Sequence, residues 1–92
     1  MYYVYVLKSK KDGDGYIGST KDLRRRFQEH NNGEVPSTRP RRPFELIYYE
    51  AYISEKDARL RESKLKLKSR AYAQLRKRIL NSLQSTGCSS VG

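Results

Sequence analysis

The sequence predicts a small α+β domain in which helices pack on a three-stranded, mostly antiparallel sheet, in the order β-β-α-β-α-α. Three observations predict this fold. Three runs are rich in β-branched and aromatic residues, the first two runs are joined by a glycine-containing turn, and three segments repeat apolar residues with helical spacing. The chain of 92 residues is long enough for one small core.

The predicted strands cover residues 2–9, 16–18 and 44–52. The first strand carries apolar or aromatic side chains on both faces, which is typical of a central strand that is covered on both sides. The turn before the second strand contains Gly13 and Gly15. Because glycine tolerates the backbone angles of tight turns, the second strand is expected to return antiparallel to the first.

The first predicted helix follows the second strand. Ser19 is expected to begin it, because a hydroxyl residue can cap a helix and Asp22 lies three positions later. Leu23 and Phe27 are one helical turn apart and should face the core.

The same helix places polar groups next to this apolar stripe. On a helical wheel Arg26 and His30 lie on or beside the stripe, whereas Arg24 and Arg25 point toward solvent. A charged group is costly to bury without a partner. Arg26 and the single histidine of the chain are therefore candidates for a functional site.

Two further helices follow the third strand. Ser54 and Asp57 predict the start of the second helix, as a cap and an acid three residues later. The apolar stripe of the third helix consists of Tyr72, Leu75, Ile79 and Leu83. Its other sides carry Arg70, Arg76, Lys77 and Arg78. These cations form either a solvated face or part of a nucleic-acid footprint.

The second helix presents a carboxylate on an apolar face. Glu62 lies with Ala58 and Leu65 on the wheel, while Leu60 belongs to an opposite apolar stripe, so the pattern leaves open which face packs on the sheet. Two roles for Glu62 are equally compatible with this position. It is either the structural partner of a cation, such as Arg26, or a metal ligand.

The charge of the chain points to a polyanionic partner. The formal net charge is +10, and a surplus of this size on a small surface favours nucleic acid. The candidate nucleic-acid contacts are Gly18, Ser19, Lys21, Arg39, Arg41 and Arg42. The last three lie in segment 31–43, which holds all three prolines and is expected to be an ordered surface loop.

Other classes of protein are disfavoured. No run approaches the ~18 apolar residues of a membrane span, and the start of the chain lacks the pattern of a signal peptide. The single cysteine, Cys88, allows neither an intramolecular disulfide nor a cysteine cluster for zinc. We expect a cytoplasmic monomer or weak dimer, with a domain over 1–83 and a flexible tail over 84–92.

Five features occur in a characteristic order. Tyr-Val-Tyr at 3–5 is followed, after a short turn, by Tyr-Ile-Gly at 16–18, by Arg26 and His30 on the next helix, and by Glu62 on the helix after that. This ordered set resembles the GIY-YIG nuclease superfamily, most closely its small single-domain bacterial members. The sequence departs from the family pattern where tyrosine replaces the glycine of the first motif. It departs again where serine follows the second motif, a position that is lysine in DNA-repair members.

The resemblance implies a divalent-metal-dependent endonuclease that hydrolyses phosphodiester bonds. The expected substrate is DNA, and the expected metal cofactor is Mg²⁺ or Mn²⁺. The implied catalytic residues are Tyr5, Tyr16, Arg26, His30 and Glu62. Glu62 would hold the metal and Arg26 would stabilise charge on the phosphate, while Tyr5, Tyr16 and His30 are alternative candidates for the base. The alternative function is a basic nucleic-acid-binding module without catalysis.

Overall fold

The computed structural model describes residues 1–67 and 70–81. Its elements are strands β1 (Tyr2–Ser9), β2 (Gly15–Thr20) and β3 (Phe44–Tyr52), helices α1 (Leu23–Asn31), α2 (Glu55–Lys66) and α3 (Arg70–Arg78), and a short 3₁₀ turn (Arg39–Arg41). The predicted fold class and element order are confirmed. None of the helices in this described part of the chain is long and apolar enough to cross a bilayer.

β1 is the central strand, as its two apolar faces predicted. The sheet order is β2-β1-β3 and both pairings are antiparallel. The pairing with β3 contains a bulge, because Val6 lies opposite Tyr48 whereas Leu7 lies opposite Leu46. Ile47 is the extra residue, and it packs on the same apolar cluster as Tyr48.

The two faces of the sheet bury separate clusters. One face packs against α2 and α3, and its buried residues are Val4, Val6, Ile17, Ala58, Leu65, Leu75 and Ile79. The other face packs against α1, and its cluster consists of Tyr5, Leu7 and Phe44 with Tyr16, Leu23, Phe27 and Leu46 around them. The second cluster contains the fully buried side chain of Tyr5, so a hydroxyl group enters the core on this side.

The start of α1 differs from the prediction. Asp22, and not Ser19, caps the helix, since its carboxylate accepts a hydrogen bond from the backbone N–H of Arg25 at 3.1 Å. Ser19 is still part of β2, because that strand continues to pair with β1 as far as Thr20. Pairing with β1 therefore extends β2 through Ser19, the residue predicted to begin the helix.

The start of α2 agrees with the prediction, and the structure decides which of its two apolar faces packs on the sheet. The hydroxyl of Ser54 accepts a hydrogen bond from the backbone N–H of Asp57, so the predicted cap is confirmed. Ala58 and Leu65 are buried, whereas Leu60 is 56% exposed. The face that carries Glu62 is therefore the face that packs on the sheet.

The loop between α1 and β3 is held in place by buried and paired side chains. Val35 and Thr38 are buried within it. The Ser9 hydroxyl donates to the carbonyl of Arg41 at 2.5 Å, and the Arg41 guanidinium pairs with Asp12 at 2.8 Å. These contacts fasten the loop to the β1–β2 hairpin. The tail predicted over 84–92 lies outside the described residues, as does the predicted stripe position at 83.

The packing of α2 predicts unequal effects of two leucine truncations. Leu65→Ala removes a fully buried side chain and should lower the free energy of unfolding by about 2–5 kcal/mol. Leu60→Ala, on the exposed face of the same helix, should change it by no more than about 0.5 kcal/mol. Urea denaturation of both variants measures the difference, and equal losses would contradict the assigned packing face.

Candidate active site

A buried chain of hydrogen bonds links β1, α1 and the following loop. The His30 side chain is fully buried; its Nε2 lies 2.9 Å from the Tyr5 hydroxyl and its Nδ1 lies 2.8 Å from the Thr38 hydroxyl. Thr38 donates its own proton to the carbonyl of Val35. We therefore assign the imidazole proton to Nδ1, so that Nε2 accepts the hydrogen bond that Tyr5 donates.

Burial keeps both groups of the Tyr5–His30 pair uncharged at neutral pH. Loss of hydration, together with the nearby Arg26 guanidinium, lowers the pKa of His30 to about 4. Loss of hydration also raises the pKa of Tyr5 to about 12, although hydrogen bonding to Arg26 opposes the rise. The free protein thus holds a neutral donor and a neutral acceptor beside a permanent cation.

Aromatic rings surround the imidazole. The Tyr16 ring centroid lies 5.1 Å from that of His30, and the Phe44 centroid lies 6.0 Å away, both in edge-on arrangements. Asn31, the next residue of α1, fixes the start of β3, since its side chain bonds both the N–H and the carbonyl of Phe44. The helix and the strand that bracket His30 are therefore joined directly.

Gly18 makes room for Tyr5. The two residues lie opposite each other in the β1–β2 pairing. A Cβ atom at position 18 would lie 2.6 Å from Cζ of Tyr5. Gly18 is a predicted nucleic-acid contact because glycine lets a backbone or a phosphate approach closely, whereas the group that lies against it in the structure is the Tyr5 ring.

Glu62 reaches the site from α2. Its Oε1 accepts a hydrogen bond from the Ser19 hydroxyl at 2.5 Å, and its Oε2 lies 2.7 Å from Nζ of Lys66. The side chain is 19% exposed. Glu62 therefore has a cationic partner, as one of its two predicted roles requires, but that partner is Lys66 and not Arg26, which pairs with Glu29 at 2.9 Å.

The structure brings the five predicted catalytic residues to neighbouring positions on four elements. Tyr5 lies on β1, Tyr16 on β2, Arg26 and His30 on α1, and Glu62 on α2. The Tyr5 hydroxyl bonds His30 at 2.9 Å, and the charges of Arg26 and Glu62 act on the pKa of Tyr5 in opposite directions. A hollow of about 180 Å³ lies beside Tyr16 and is also lined by Lys66 and Tyr72.

The residues predicted to contact nucleic acid lie in different surroundings. Lys21 and Arg42 are exposed, whereas Arg41 is paired with Asp12 and Arg39 donates to the Gly33 carbonyl at 2.8 Å. Their roles in binding stay predictions. Sequence reasoning did not identify Thr38 or the contact between Ser19 and Glu62. No local pattern marks either contact, because the partners lie on separate elements.

The donor set suits a magnesium-type site with a single protein carboxylate. Among residues 1–67 and 70–81, no group of three or more histidine, cysteine or acidic side chains converges. Glu62 supplies one carboxylate, and Ser19 places a hydroxyl oxygen beside it. Mg²⁺ is commonly held by one or two carboxylates, with water and substrate phosphate completing the shell. The residues present fit that pattern.

Known proteins resemble this chain along most of its length. A family model for the GIY-YIG catalytic domain matches residues 1–78. A UPF0213 protein of Staphylococcus saprophyticus is 40% identical over 70 residues, which cover 75% of this chain and 84% of the relative. One of Streptococcus pneumoniae is 45% identical over 69 residues, which cover 74% and 69%. The solution structure of a UPF0213 protein from Bacillus halodurans matches with a TM-score of 0.51 and 37% identity, covering 91% of this chain and 86% of that chain.

The low pKa of His30 predicts a pH-dependent stability. Below pH 6.5 the unfolded chain binds a proton at this residue, whereas the folded protein binds it only near pH 4. The free energy of unfolding should therefore fall between pH 7 and pH 4, with His30 contributing roughly 2–3 kcal/mol. Urea denaturation across this range tests the effect. His30→Gln, which does not titrate, should show a shallower decline, and parallel curves for the two proteins would contradict the assignment.

Proposed function

Because this chain belongs to the GIY-YIG catalytic-domain family, we propose that it is a divalent-metal-dependent endonuclease that hydrolyses phosphodiester bonds of nucleic acid. DNA is the proposed substrate, Mg²⁺ or Mn²⁺ the proposed metal, and a cytoplasmic monomer or weak dimer the proposed form. The observation that carries the proposal is the buried Tyr5–His30 hydrogen bond beside Arg26.

Glu62 is the residue proposed to hold the metal, with Ser19 beside it. When bound, the ion supplies positive charge that offsets the negative charge of the phosphate and of the leaving oxygen. Lys66 now occupies one carboxylate oxygen, but its side chain is 50% exposed and can turn toward solvent or toward a substrate phosphate.

Arg26 is proposed to stabilise the phosphate as charge builds on its oxygens. A guanidinium can donate two parallel hydrogen bonds to one phosphate, which gives both orientation and charge stabilisation. The side chain is 39% exposed, so a phosphate can reach it, and Glu29 holds it at its present position.

Tyr5 and His30 are proposed to move the proton of the attacking water. The water transfers a proton to the Tyr5 oxygen as its own oxygen bonds to phosphorus, and Tyr5 passes its hydroxyl proton to Nε2 of His30. The other imidazole proton remains on Nδ1, where it is hydrogen-bonded to Thr38. Since burial disfavours imidazolium, His30 holds this proton only briefly. As the bond between phosphorus and the leaving oxygen breaks, that oxygen takes up a proton from solvent, and the proton on His30 returns to solvent through the Tyr5 hydroxyl. Tyr16, whose ring lies 5.1 Å from that of His30 and lines a small hollow, is proposed to orient the water.

A second candidate function is a nucleic-acid-binding module without catalysis. One observation favours it: the Lys66 ammonium neutralises Glu62 at 2.7 Å, so the carboxylate has a partner without a metal. Nicking of a supercoiled plasmid, measured with Mg²⁺ and again with EDTA, separates the two functions. Nicking that EDTA abolishes supports the nuclease, and binding without nicking under either condition supports the module.

Glu62→Gln should remove nearly all plasmid nicking, because an amide keeps the size of the side chain but not its charge. Binding to DNA without metal should persist or tighten, since a negative charge leaves a basic site. The melting temperature should change little, because the amide oxygen can still accept the Ser19 hydrogen bond and the lost ion pair involves a half-exposed Lys66.

The matched control is Glu55→Gln in the first turn of the same helix, where the carboxylate pairs with Arg59. This variant should nick at close to the wild-type rate. A Glu62→Gln protein that still nicks, or whose loss of nicking follows a large drop in melting temperature, would count against the metal role.

Arg26→Ala should lower the rate of nicking at saturating DNA by roughly 10²–10³, the usual effect of losing a group that stabilises the transition state. Arg24→Ala and Arg25→Ala should mainly raise the DNA concentration needed for half-maximal nicking. The three variants are compared in one titration of rate against DNA concentration. Similar, mild losses of rate at all three positions would rule out a special role for Arg26.

A further inference from the structure

We propose that a surface hollow between α1 and β3 is a second nucleic-acid site, which seats unpaired bases. The α1–β3 hollow has a volume of about 750 Å³, and none of the five candidate catalytic residues lines it. Its apolar side includes Tyr3, Tyr49 and Phe27. The cations at its border are Lys21, Arg24 and Arg25.

The aromatic side of the hollow faces solvent. Tyr49 is 53% exposed. Its ring lies 6.0 Å from that of Tyr3, at an angle of 66°. Two adjacent rings that are held by neighbouring strands form a rigid apolar platform. A nucleobase can stack on such a platform, because every base offers a flat π-face.

The border of the hollow carries cations that the fold does not use. Within the described part of the chain, Lys21 and Arg24 have no ion-pair partner, and Arg25 has only a 3.6 Å contact with Glu29. The one acid that lines the hollow, Asp22, is already engaged as the cap of α1. The hollow therefore combines an aromatic floor with a net positive border, which matches the bases and phosphates of one strand.

Bases within a duplex are stacked on each other, so their faces cannot stack on Tyr3 and Tyr49. The proposed ligand is therefore a strand with unpaired nucleotides. A second copy of this chain is a poor occupant, since each copy carries a net charge of +10.

The α1–β3 hollow lies near residues of the candidate active site. Arg25 and Phe27 flank Arg26 on α1, and Lys21 also lines a second hollow together with Ser19, the partner of Glu62. A strand held at the α1–β3 hollow would therefore lead toward Arg26. This guiding role rests on the proposed nuclease function, whereas binding at the hollow does not.

The test measures fluorescence anisotropy of fluorescein-labelled oligothymidylate and of a labelled duplex of equal length, with EDTA present so that cleavage plays no part. Tyr49→Ala should weaken binding of the single strand by roughly 5- to 150-fold. Tyr49→Phe, which keeps the ring, should stay within about twofold of the wild type. Binding of the duplex should change little in either variant.

Two further comparisons separate stacking from general effects. Leu60→Ala removes an apolar side chain of similar exposure on α2 and should leave binding of the single strand unchanged. Arg24→Ala should reduce the slope of log affinity against log salt by about 0.7, whereas Lys56→Ala, on α2, should reduce it by less. Melting curves of every variant show whether the fold is intact.

The outcomes distinguish the inference from the proposed function. Unchanged binding of the single strand by Tyr49→Ala overturns the inference and leaves the nuclease proposal standing. Equal losses for single strand and duplex also overturn it, because stacking on an exposed ring would then not be the cause. A concentration-dependent dimer in sedimentation that Tyr49→Ala abolishes would assign the hollow to a second copy instead. A wild-type protein that binds neither ligand contradicts both proposals.

Discussion

The hydrogen-bonded chain from Tyr5 through His30 to Thr38 is the interaction on which the rest of this structure depends. A fully buried imidazole must satisfy both nitrogens within the protein. One nitrogen ties α1 to the central strand, and the other ties α1 to the loop that follows it. The hydrogen bond from Nδ1 to Thr38 helps to hold the loop in place, and burial of the same imidazole keeps it neutral. The folding core and the candidate active site share these side chains.

This shared construction constrains the residues around it. Gly18 has to lack a side chain because the Tyr5 ring occupies that space. The Asn31 side chain bonds the backbone of Phe44, and the Phe44 ring packs against the His30 imidazole. A substitution here changes stability together with any chemistry. Glu62 is different, since its contacts with Ser19 and Lys66 lie at the edge of the packed region.

Some of the basic side chains form ion pairs that stabilise the fold, whereas others are free to contact a ligand. Arg41 pairs with Asp12 and lowers the pKa of that carboxyl to about 2. Arg61 forms a two-pronged pair with Glu50, which also accepts hydrogen bonds from two tyrosine hydroxyls. Such cations hold elements together. The cations that border hollows, such as Arg24, matter more for a polyanionic ligand than the total charge does.

Features set by neighbouring residues could be read from the sequence: the three strands, the Ser54 cap, and the position of Arg26 and His30 beside an apolar stripe. Pairings between distant residues could not. Strand pairing moved the start of α1 from Ser19 to Asp22, and only folding brought Thr38 to the imidazole and Ser19 to Glu62. Apolar periodicity and capping patterns depend only on residues that are close together in the sequence. A hydrogen bond between segments depends on where the chain places both partners, and only the tertiary structure decides that.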